Sequence, residues 1–514
     1  MTWPRLRLAS VLAGLLACLA GCDLAPLYDP PHYILPDDWR GQGPFRIAAP
    51  SDTLPRGPWW EMFADPLLNQ LEEQLVEQNP TLAAVYEQYV QARDAAAIAR
   101  SGLYPQLSIN GQTSEEKQSR NAPFRNPQST LPTVTGNNLI QAAATWEPDF
   151  WQRIRNSERQ QARLAQSSAA LVANARLSLQ VQLASTYFAL RGFDIQNEVY
   201  RRAVADYQRS VQITQLRLQG AIAAGLDVAR AQTQLASTQA LQNANLASRA
   251  VLEHAIAVLA GVNPSTFSIP VQDRNTLANP AIPTGVPSVL LERRPDIASA
   301  ERQMAAANAG VGITRAAFYP NVTISPTGGF QDTGFNLASL PNAIWSIGAS
   351  AVLPLFEGGL RRAALQQSWS QFAQTRDNYR STVLTAFQQV EDELTLQASL
   401  QSQNQSQYQA VAAANKAMSL TQQLYVGGFI TYLDVVVAQQ TALLAEIAAA
   451  QARTLQLQNT ANLILAVGGG WSTADLPTER GVLPFEPLDV FRFKRQPRPD
   501  GTGQGGNAAS KAAR

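Results

Sequence analysis

The chain contains short stretches in which apolar and polar residues alternate strictly, and these stretches lie between long helical segments. Proline follows tyrosine at Tyr104-Pro105 and at Tyr319-Pro320, and proline both stops a helix and favours extended backbone at the preceding residue. Beyond each proline the period changes to two. The alternation predicts strands with one apolar face and one small, polar face, as in strands that separate lipid from water. The predicted polar loops cover 113–138 and 326–342, and the returning strands lie near 139–150 and 343–356.

Two helical segments are unusually long. Residues 152–219 and 359–426 comprise 68 positions each and contain no proline. At about 1.5 Å per residue, such a helix extends about 100 Å. Apolar residues recur at helical spacing in a narrow stripe, which predicts coiled-coil-like packing with water on at least one side. A turn and a shorter helix follow each segment, and a helix rich in Ala, Gln and Glu precedes each strand pair, over about 66–101 and 281–316.

The whole arrangement occurs twice. Residues 75–109 align without gaps to residues 290–324 at an offset of 215, and 11 of the 35 positions are identical. At an offset of 207, the turn that contains Gly220 and Asp227 matches the turn at 427–434, so the two turns are equivalent tips. The predicted organisation is a leader (1–21), an N-terminal lead (22–57), two repeats (58–272 and 273–485) and a tail (486–514) whose composition predicts disorder.

Four strands of membrane length are too few to close around a lumen within one chain. An open sheet in lipid would leave the N–H and C=O groups of its edges unpaired, which is energetically costly. Single-chain barrels have at least about eight strands. Two chains would give eight strands and a filled interior, and three would give twelve and room for an aqueous pore. After residue 22 no run of about eighteen apolar residues occurs, so no transmembrane helix is predicted.

The first 22 residues are typical of a bacterial lipoprotein leader. Arg5 and Arg7 precede an apolar stretch that is too short to span a bilayer. The stretch ends in LAGC (19–22), which resembles a lipobox, so we expect cleavage before Cys22 and attachment of a lipid to its thiol. The alternative is an ordinary cleaved leader in which Cys22 is incidental. Asp23 follows directly, and in enteric bacteria an aspartate there can favour retention in the inner membrane. Sorting rules differ among bacteria, and a barrel must insert in the outer membrane, so the outer membrane stays the predicted location.

Composition and charge exclude several classes of function. Lys plus Arg number 40 and Asp plus Glu number 39, so the formal net charge is +1. A chain with so small a net charge lacks the excess of positive charge that is typical of nucleic-acid-binding proteins. His32 and His254 have no second His, Cys or acidic cluster near them in the sequence, so we expect no metal and no other cofactor. The sequence contains neither a nucleophile elbow nor a phosphate-binding loop. It therefore predicts a protein that is not an enzyme.

Short motifs occur along the chain in a characteristic order: Leu24-Ala25-Pro26, Trp59-Trp60, Arg294-Pro295-Asp296, Tyr319-Pro320, the paired turns Leu226-Asp227-Val228 and Leu433-Asp434-Val435, and Gly468-Gly469-Gly470-Trp471. In this order the chain resembles the TolC-like outer-membrane efflux proteins, specifically their lipoprotein branch of OprM/NodT type. The resemblance implies an α+β membrane protein in which the duplicated unit supplies four β-strands to a trimeric, twelve-stranded outer-membrane β-barrel. Long coiled-coil-like helices would form a periplasmic α-barrel.

The resemblance also implies a function and partners. The protein would be a homotrimer and the passive outer-membrane duct of a tripartite efflux system. An inner-membrane pump and a periplasmic adaptor would hand over drugs or other toxic small molecules. Two alternatives stay open at this point, namely a lipid-anchored periplasmic coiled-coil adaptor or scaffold, and a TolC-like channel for protein secretion.

In the family, the turn between the long helix and the last helix forms the periplasmic aperture, with a tyrosine, an arginine and two aspartates. The tyrosine and one aspartate match Tyr425 and Asp434, whereas Ile430 and Val437 occupy the positions of the arginine and the other aspartate. We therefore hypothesise an apolar constriction of Phe429, Ile430 and Val437 that closes partly by dewetting. The alternative is that these side chains pack between helices and never face the lumen.

Overall fold

The structure of the protein, a computed structural model, describes residues 23–31, 58–117, 119, 133–272, 277–280, 282, 293–334, 336 and 339–483. The leader, Cys22, His32, most of the N-terminal lead and the tail lie outside the described residues. Within them, the helices are α1 (Pro66–Gln78), α2 (Pro80–Ser101), α3 (Arg153–Gln219), α4 (Gly225–Leu259), α5 (Pro295–Ala316), α6 (Leu360–Val426) and α7 (Tyr432–Ala466). The strands are β1 (Gln106–Lys117), β2 (Val134–Thr145), β3 (Asn321–Asp332) and β4 (Ala343–Val352).

The two long helices are confirmed almost to the residue. Helices α3 and α6 have 67 residues each, one fewer than predicted. Each is followed by a turn and a 35-residue partner, α4 or α7. An uninterrupted backbone hydrogen-bond ladder requires the absence of proline, which is why the proline-free segments located these helices so closely.

The predicted returning strands extend too far, because β2 ends at Thr145 and β4 ends at Val352. The predicted loops are also wrong at their bounds. Residues 113–117 belong to β1, residues 134–138 belong to β2, and residues 326–332 belong to β3. These stretches are polar or rich in glycine, so their side chains gave no alternating signal. Their backbones nevertheless pair with a neighbouring strand, as in Thr113 opposite Asn138. Pairing partners, rather than side-chain polarity, decide where these strands end.

The predicted helix over 66–101 is two helices, because the chain breaks at Asn79. Pro80 disfavours helical backbone at Asn79, whose φ of −66° and ψ of 119° are extended. The Asn79 Oδ1 accepts a hydrogen bond from the Leu82 N–H at 2.9 Å and caps α2. Its Nδ2 donates to the Leu259 carbonyl at the end of α4, at 2.8 Å.

The second copy makes the same junction with a different side chain. Arg294 stands at the position of Asn79, and its Nη1 donates to the carbonyl of Ala466 at 2.9 Å. Ala466 is the duplicated counterpart of Leu259. The predicted start of this copy's helix at 281 lies where most residues are not described, and α5 begins at Pro295. The duplication thus preserves a contact between helix ends, although the residue that makes it changed.

A pair of equivalent glycines permits the close approach at these junctions. Gly261 has φ +75° and Gly468 has φ +91°. A Cβ on Gly261 would lie 2.4 Å from the Gln78 carbonyl oxygen, and one on Gly468 would lie 2.2 Å from that of Arg293. Both the left-handed backbone and the lack of space require glycine.

The four strands form one antiparallel sheet in the order β1-β2-β3-β4. The two hairpins meet through β2 and β3, where Ile140 is opposite Phe330. The outer edges of β1 and β4 have no partner strand among the described residues of the chain. The main hydrophobic core lies away from the sheet, where α1 and the middle of α3 pack with α6 and the ends of α4 and α7. Its largest fully buried side chains include Trp59, Phe63, Tyr187, Phe188 and Met304.

Helix α7 is the one helix among the described residues that is long and apolar enough to cross a membrane by length and composition alone. Its many alanines and aliphatic residues give it a mean hydropathy high enough for a spanning helix. The sequence pattern had predicted no such helix. In the chain it packs along α6 and α3, and Leu457, Leu463 and Ile464 are buried in the main core. At these positions its apolar side chains serve helix packing.

Candidate functional site

The two faces of the sheet differ sharply in chemistry. Residues directly opposite each other in the register share a face, so the pairs Leu107–Ala144, Ile324–Ala349 and Pro326–Ile347 lie on one side. That side is apolar and exposed on a single chain, with 79% of Trp345 and 74% of Ile347 accessible. The opposite side is mostly polar or small and includes Gln106, Ser108, Asn110, Gln141, Thr323, Thr327, Ser346 and Ser350.

The two turns far from the sheet come together as one tip. Tyr425, at the end of α6, and Tyr432, at the start of α7, have ring centroids 5.3 Å apart. Both are buried in a small cluster with Val435 of α7 and Ala231 of α4, and Ile430 packs against this cluster. Burial raises the pKa of Tyr432 to about 12. The cluster joins the second hairpin of helices to the first at their common end.

Arg217 makes a further contact between the two tips. Its guanidinium carbon lies 4.7 Å from the centroid of the Tyr425 ring. Its Nη1 donates to the carbonyls of Tyr425 and Val426 at 3.2 and 3.3 Å. A cation at the carboxyl end of a helix is stabilised by the exposed carbonyls and the helix dipole. Arg217 of α3 therefore caps α6, although the two helices belong to different copies.

Sequence reasoning did not find Arg217. Its duplicated counterpart is Leu424, so the internal repeat gives no sign of it. No short motif contains it either, and its partner Tyr425 is 208 positions away. The positive charge that the resemblance places five residues after Tyr425 is absent there, and the structure instead brings a positive charge to Tyr425 from the other copy.

The predicted Asp434 has a local role in the structure. Its Oδ2 accepts from the Thr431 N–H at 3.1 Å and from the Thr431 hydroxyl at 2.8 Å, which forms a capping box at the start of α7. The equivalent Asp227 lies in the first turn of α4 and is 3.9 Å from Arg230. Both aspartates thus stand at helix N-termini, where negative charge is favourable.

Gly220, which the sequence analysis placed at the tip of the first copy, directly follows the end of α3. It does not adopt the left-handed backbone conformation that occurs in this turn. Its φ is −78°, and the left-handed residue is Ala221, with φ +58°. In the second copy the corresponding residue is Gly428, with φ +81°. The first tip therefore has a non-glycine residue where the second has glycine.

The three residues of the hypothesised constriction have different surroundings. Phe429 is 80% and Val437 is 56% exposed on a single chain. Ile430 is partly buried against the tyrosine cluster. The structure thus brings Ile430 together with Tyr425, and leaves Phe429 and Val437 free to meet another chain or the lumen.

Metal-ligating side chains do not cluster in the described part of the chain. Within it, no group of three or more His, Cys, Asp or Glu side chains is placed to hold a metal ion. His254 lies on α4 and is exposed. The candidate functional features are therefore the two-faced sheet and the tip, which lie at opposite ends of the long helices.

The chain matches the family described as outer membrane efflux protein over residues 71–262 and 286–469. It is similar to the pyoverdine export outer membrane protein OpmQ of Pseudomonas aeruginosa, with 29% identity over 479 residues, 92% of this chain and 98% of that protein. It is 28% identical to the toluene efflux pump outer membrane protein TtgC of Pseudomonas putida over 462 residues, 88% of this chain and 93% of that protein. Among solved structures, the outer-membrane channel OprN superposes with a TM-score of 0.81 at 26% identity, over 88% of this chain and all of that one.

Proposed function

The chain belongs to the outer membrane efflux protein family, and from this premise we propose that it is the passive exit duct of an efflux system for small molecules. The observation that carries the proposal is the four-stranded sheet, with one exposed apolar face and one polar face. A sheet of this kind matches lipid on one side and a water-filled lumen on the other. The long helices then extend the lumen into the periplasm.

The duct is a homotrimer in this proposal. The strands alternate in direction, so β4 of one chain meets β1 of the next in antiparallel fashion, and the cylinder closes with an even number of strands. Three chains contribute twelve strands, which leave room for an aqueous pore. Closure also gives the main-chain groups on the outer edges of β1 and β4 their partners within the hydrocarbon.

The partners in this proposal are a periplasmic adaptor and an inner-membrane pump, with outer-membrane lipid around the sheet. Relatives such as TtgC are named as outer membrane components of efflux pumps, which supports a multi-component assembly. A lipid on Cys22 would anchor the chain in the outer membrane. The two repeats, 58–272 and 273–485, would each supply one strand pair and one long helical hairpin.

Purified protein tests the proposal. In detergent it is expected to run as a trimer that resists SDS until it is heated, and in planar bilayers it is expected to conduct ions. Metabolic palmitate labelling of wild type, with Cys22→Ala as the control, tests the anchor. A folded monomer without conductance would contradict the duct and favour a periplasmic scaffold.

The gate of the duct is proposed to lie at the tip, with an apolar constriction of Phe429, Ile430 and Val437. Because an apolar constriction expels water, Val437→Asp is expected to raise single-channel conductance and cation selectivity severalfold. The nearly isosteric Val437→Thr, which adds a hydroxyl without charge, is expected to give a smaller rise. Unchanged conductance and selectivity in both variants would mean that Val437 does not face the lumen.

A further inference from the structure

The first described residues after Cys22 are bound to the start of α3. Arg159 donates from Nη1 to Oδ2 of Asp23 at 2.5 Å, and the Asn156 Nδ2 donates to Oδ1 at 3.1 Å. The Ala25 N–H also donates to this Oδ1, at 3.0 Å. Burial alone would raise the pKa of Asp23, but the hydrogen bonds from Ala25, Asn156 and Arg159 lower it below its ordinary value. The carboxylate is therefore charged at neutral pH.

The next residues run along α5 in the opposite direction to that helix. The Arg315 guanidinium donates to the Leu24 carbonyl at 3.1 Å, and the Asn308 Nδ2 donates to the Pro26 carbonyl at 2.8 Å. Further along, the Tyr28 hydroxyl donates to Oε1 of Glu301 at 2.5 Å. Positions 301, 308 and 315 of α5 are separated by about two helical turns each, so they lie on one face.

A glycine on α5 makes room for this segment. A Cβ built on Gly312 would lie 2.8 Å from the Cβ and 2.9 Å from the Cα of Ala25. Real Cβ atoms do not approach other carbons so closely, so the backbone of the segment touches α5 at a place where only glycine fits. The hydrogen bonds to two backbone carbonyls and this close fit define a binding site for the segment on α5 and α3, which we call the seat.

The seat lies at the boundary between the sheet and the helices. Asn156 is in the first turn of α3, which begins eight residues after β2 ends. Arg315 is in the last turn of α5, which ends five residues before β3 begins. The segment also bridges the two copies, because α3 belongs to the first and α5 to the second. Cys22 is directly adjacent to Asp23 in the sequence.

We propose that residues 23–28 are an N-terminal strap that seats the lipid-bearing end of the chain at the junction of sheet and helices, and that Asp23 is its positioning residue. The seat follows from the contacts above, whereas the presence of a lipid rests on the proposed function. Asp23 thereby has a structural role in the folded protein, distinct from that of a sorting signal read by another protein. The strap holds α3 of the first copy to α5 of the second.

A spin label at position 27 reports on the strap. Leu27 is 96% exposed, so Leu27→Cys carries a nitroxide without disturbing the seat. In the wild-type background the label is expected to show the restricted motion of a side chain on an ordered backbone. Adding Gly312→Ala is expected to raise the ratio of mobile to immobile label roughly tenfold, because the new methyl group overlaps Ala25. The matched control is Gly310→Ala, whose Cβ would meet the end of the Gln160 side chain, with Nε2 at 3.0 Å and Cδ at 3.9 Å.

A mobile label in wild type, or equal spectra for the two glycine variants, would overturn the strap. The sequence has two cysteines, and Cys18 lies inside the predicted leader, with which it would be removed. Labelling of protein without Leu27→Cys would therefore show a free thiol at Cys22. That result would contradict lipidation of Cys22 but would not bear on the contacts of the strap. The two failures are therefore distinguishable.

The role of Asp23 is tested by Asp23→Ser in the same labelled protein. The label is expected to become mobile as in Gly312→Ala, while the protein still fractionates with the outer membrane. Arg159→Ala is expected to repeat the effect. Arg153 lies on the same helix but pairs with Glu147, which precedes the helix, so Arg153→Ala is expected to have no effect. An immobile label in Asp23→Ser, or a shift of that variant to another membrane fraction, would overturn the positioning role.

Discussion

Replacing Asp194 by alanine is expected to destabilise the protein by roughly 3–5 kcal/mol, because the change removes the counter-ion of buried Arg191 and leaves Arg249 with Glu253 alone. The Asp194 side chain is fully buried between Arg191 at 2.9 Å and Arg249 at 2.6 Å, and these arginines are 3% and 10% exposed. Both arginines also bind the segment that ends the first copy, through the carbonyls of Pro270 and Ile269. The measurement is the temperature at which helical circular dichroism is lost in detergent.

The same helix offers a matched control for this prediction. Asp206 of α3 also faces an arginine, Arg209, but at 3.9 Å and with both side chains more than half exposed. Asp206→Ala is expected to change stability by at most about 1 kcal/mol. If the two alanine variants melted at the same temperature, the buried network would not contribute to stability in the way described.

The second large effect is expected from Ile347→Lys, which places a charge on the apolar face of β4. Lysine on the lipid side of a barrel strand costs about 2–4 kcal/mol near the bilayer centre, and a homotrimer carries the substitution three times. The heat-modifiable trimer is therefore expected to disappear from the outer-membrane fraction. Immunoblots of unheated and heated membrane samples provide the measurement.

The neighbouring residue serves as the control, because successive side chains of a strand point to opposite faces. Ser346 lies on the polar face, where its hydroxyl is 2.8 Å from that of Thr327. Ser346→Lys is expected to keep the trimer and to lower the cation conductance of the pore. If Ser346→Lys abolished the trimer and Ile347→Lys did not, the assignment of the two faces would be reversed.

The architecture could be predicted where a local rule applies. Proline-free stretches located α3 and α6, and the change of period after Pro105 and Pro320 located β1 and β3. The ends of the strands could not be predicted, because residues such as 113–117 pair through their backbones without an alternating pattern. The break at Asn79 was missed for a similar reason, since a capping side chain can restart a helix at once.

The candidate site was predictable only in part. Tyr425 and Asp434 lie on either side of the turn between α6 and α7, and Asp434 has an identifiable capping role, whereas their part in a gate stays a prediction. Arg217, Asp194 and the strap seat carried no pattern in the sequence. Each depends on contacts between residues that are distant in the chain.

The sequence by itself determined the duplication, the presence of four strands and the two long helices, and it led to the expectation that several chains close the barrel. These features follow from local backbone chemistry and from the need of strands in lipid to pair their hydrogen-bonding groups. Both can be read from the sequence of one chain. Only the tertiary structure decided that Arg217 caps the helix of the other copy, that Arg294 replaces Asn79 at the equivalent junction, and that Asp23 binds the start of α3. Such contacts join residues more than a hundred positions apart, and their geometry is set by how whole helices pack.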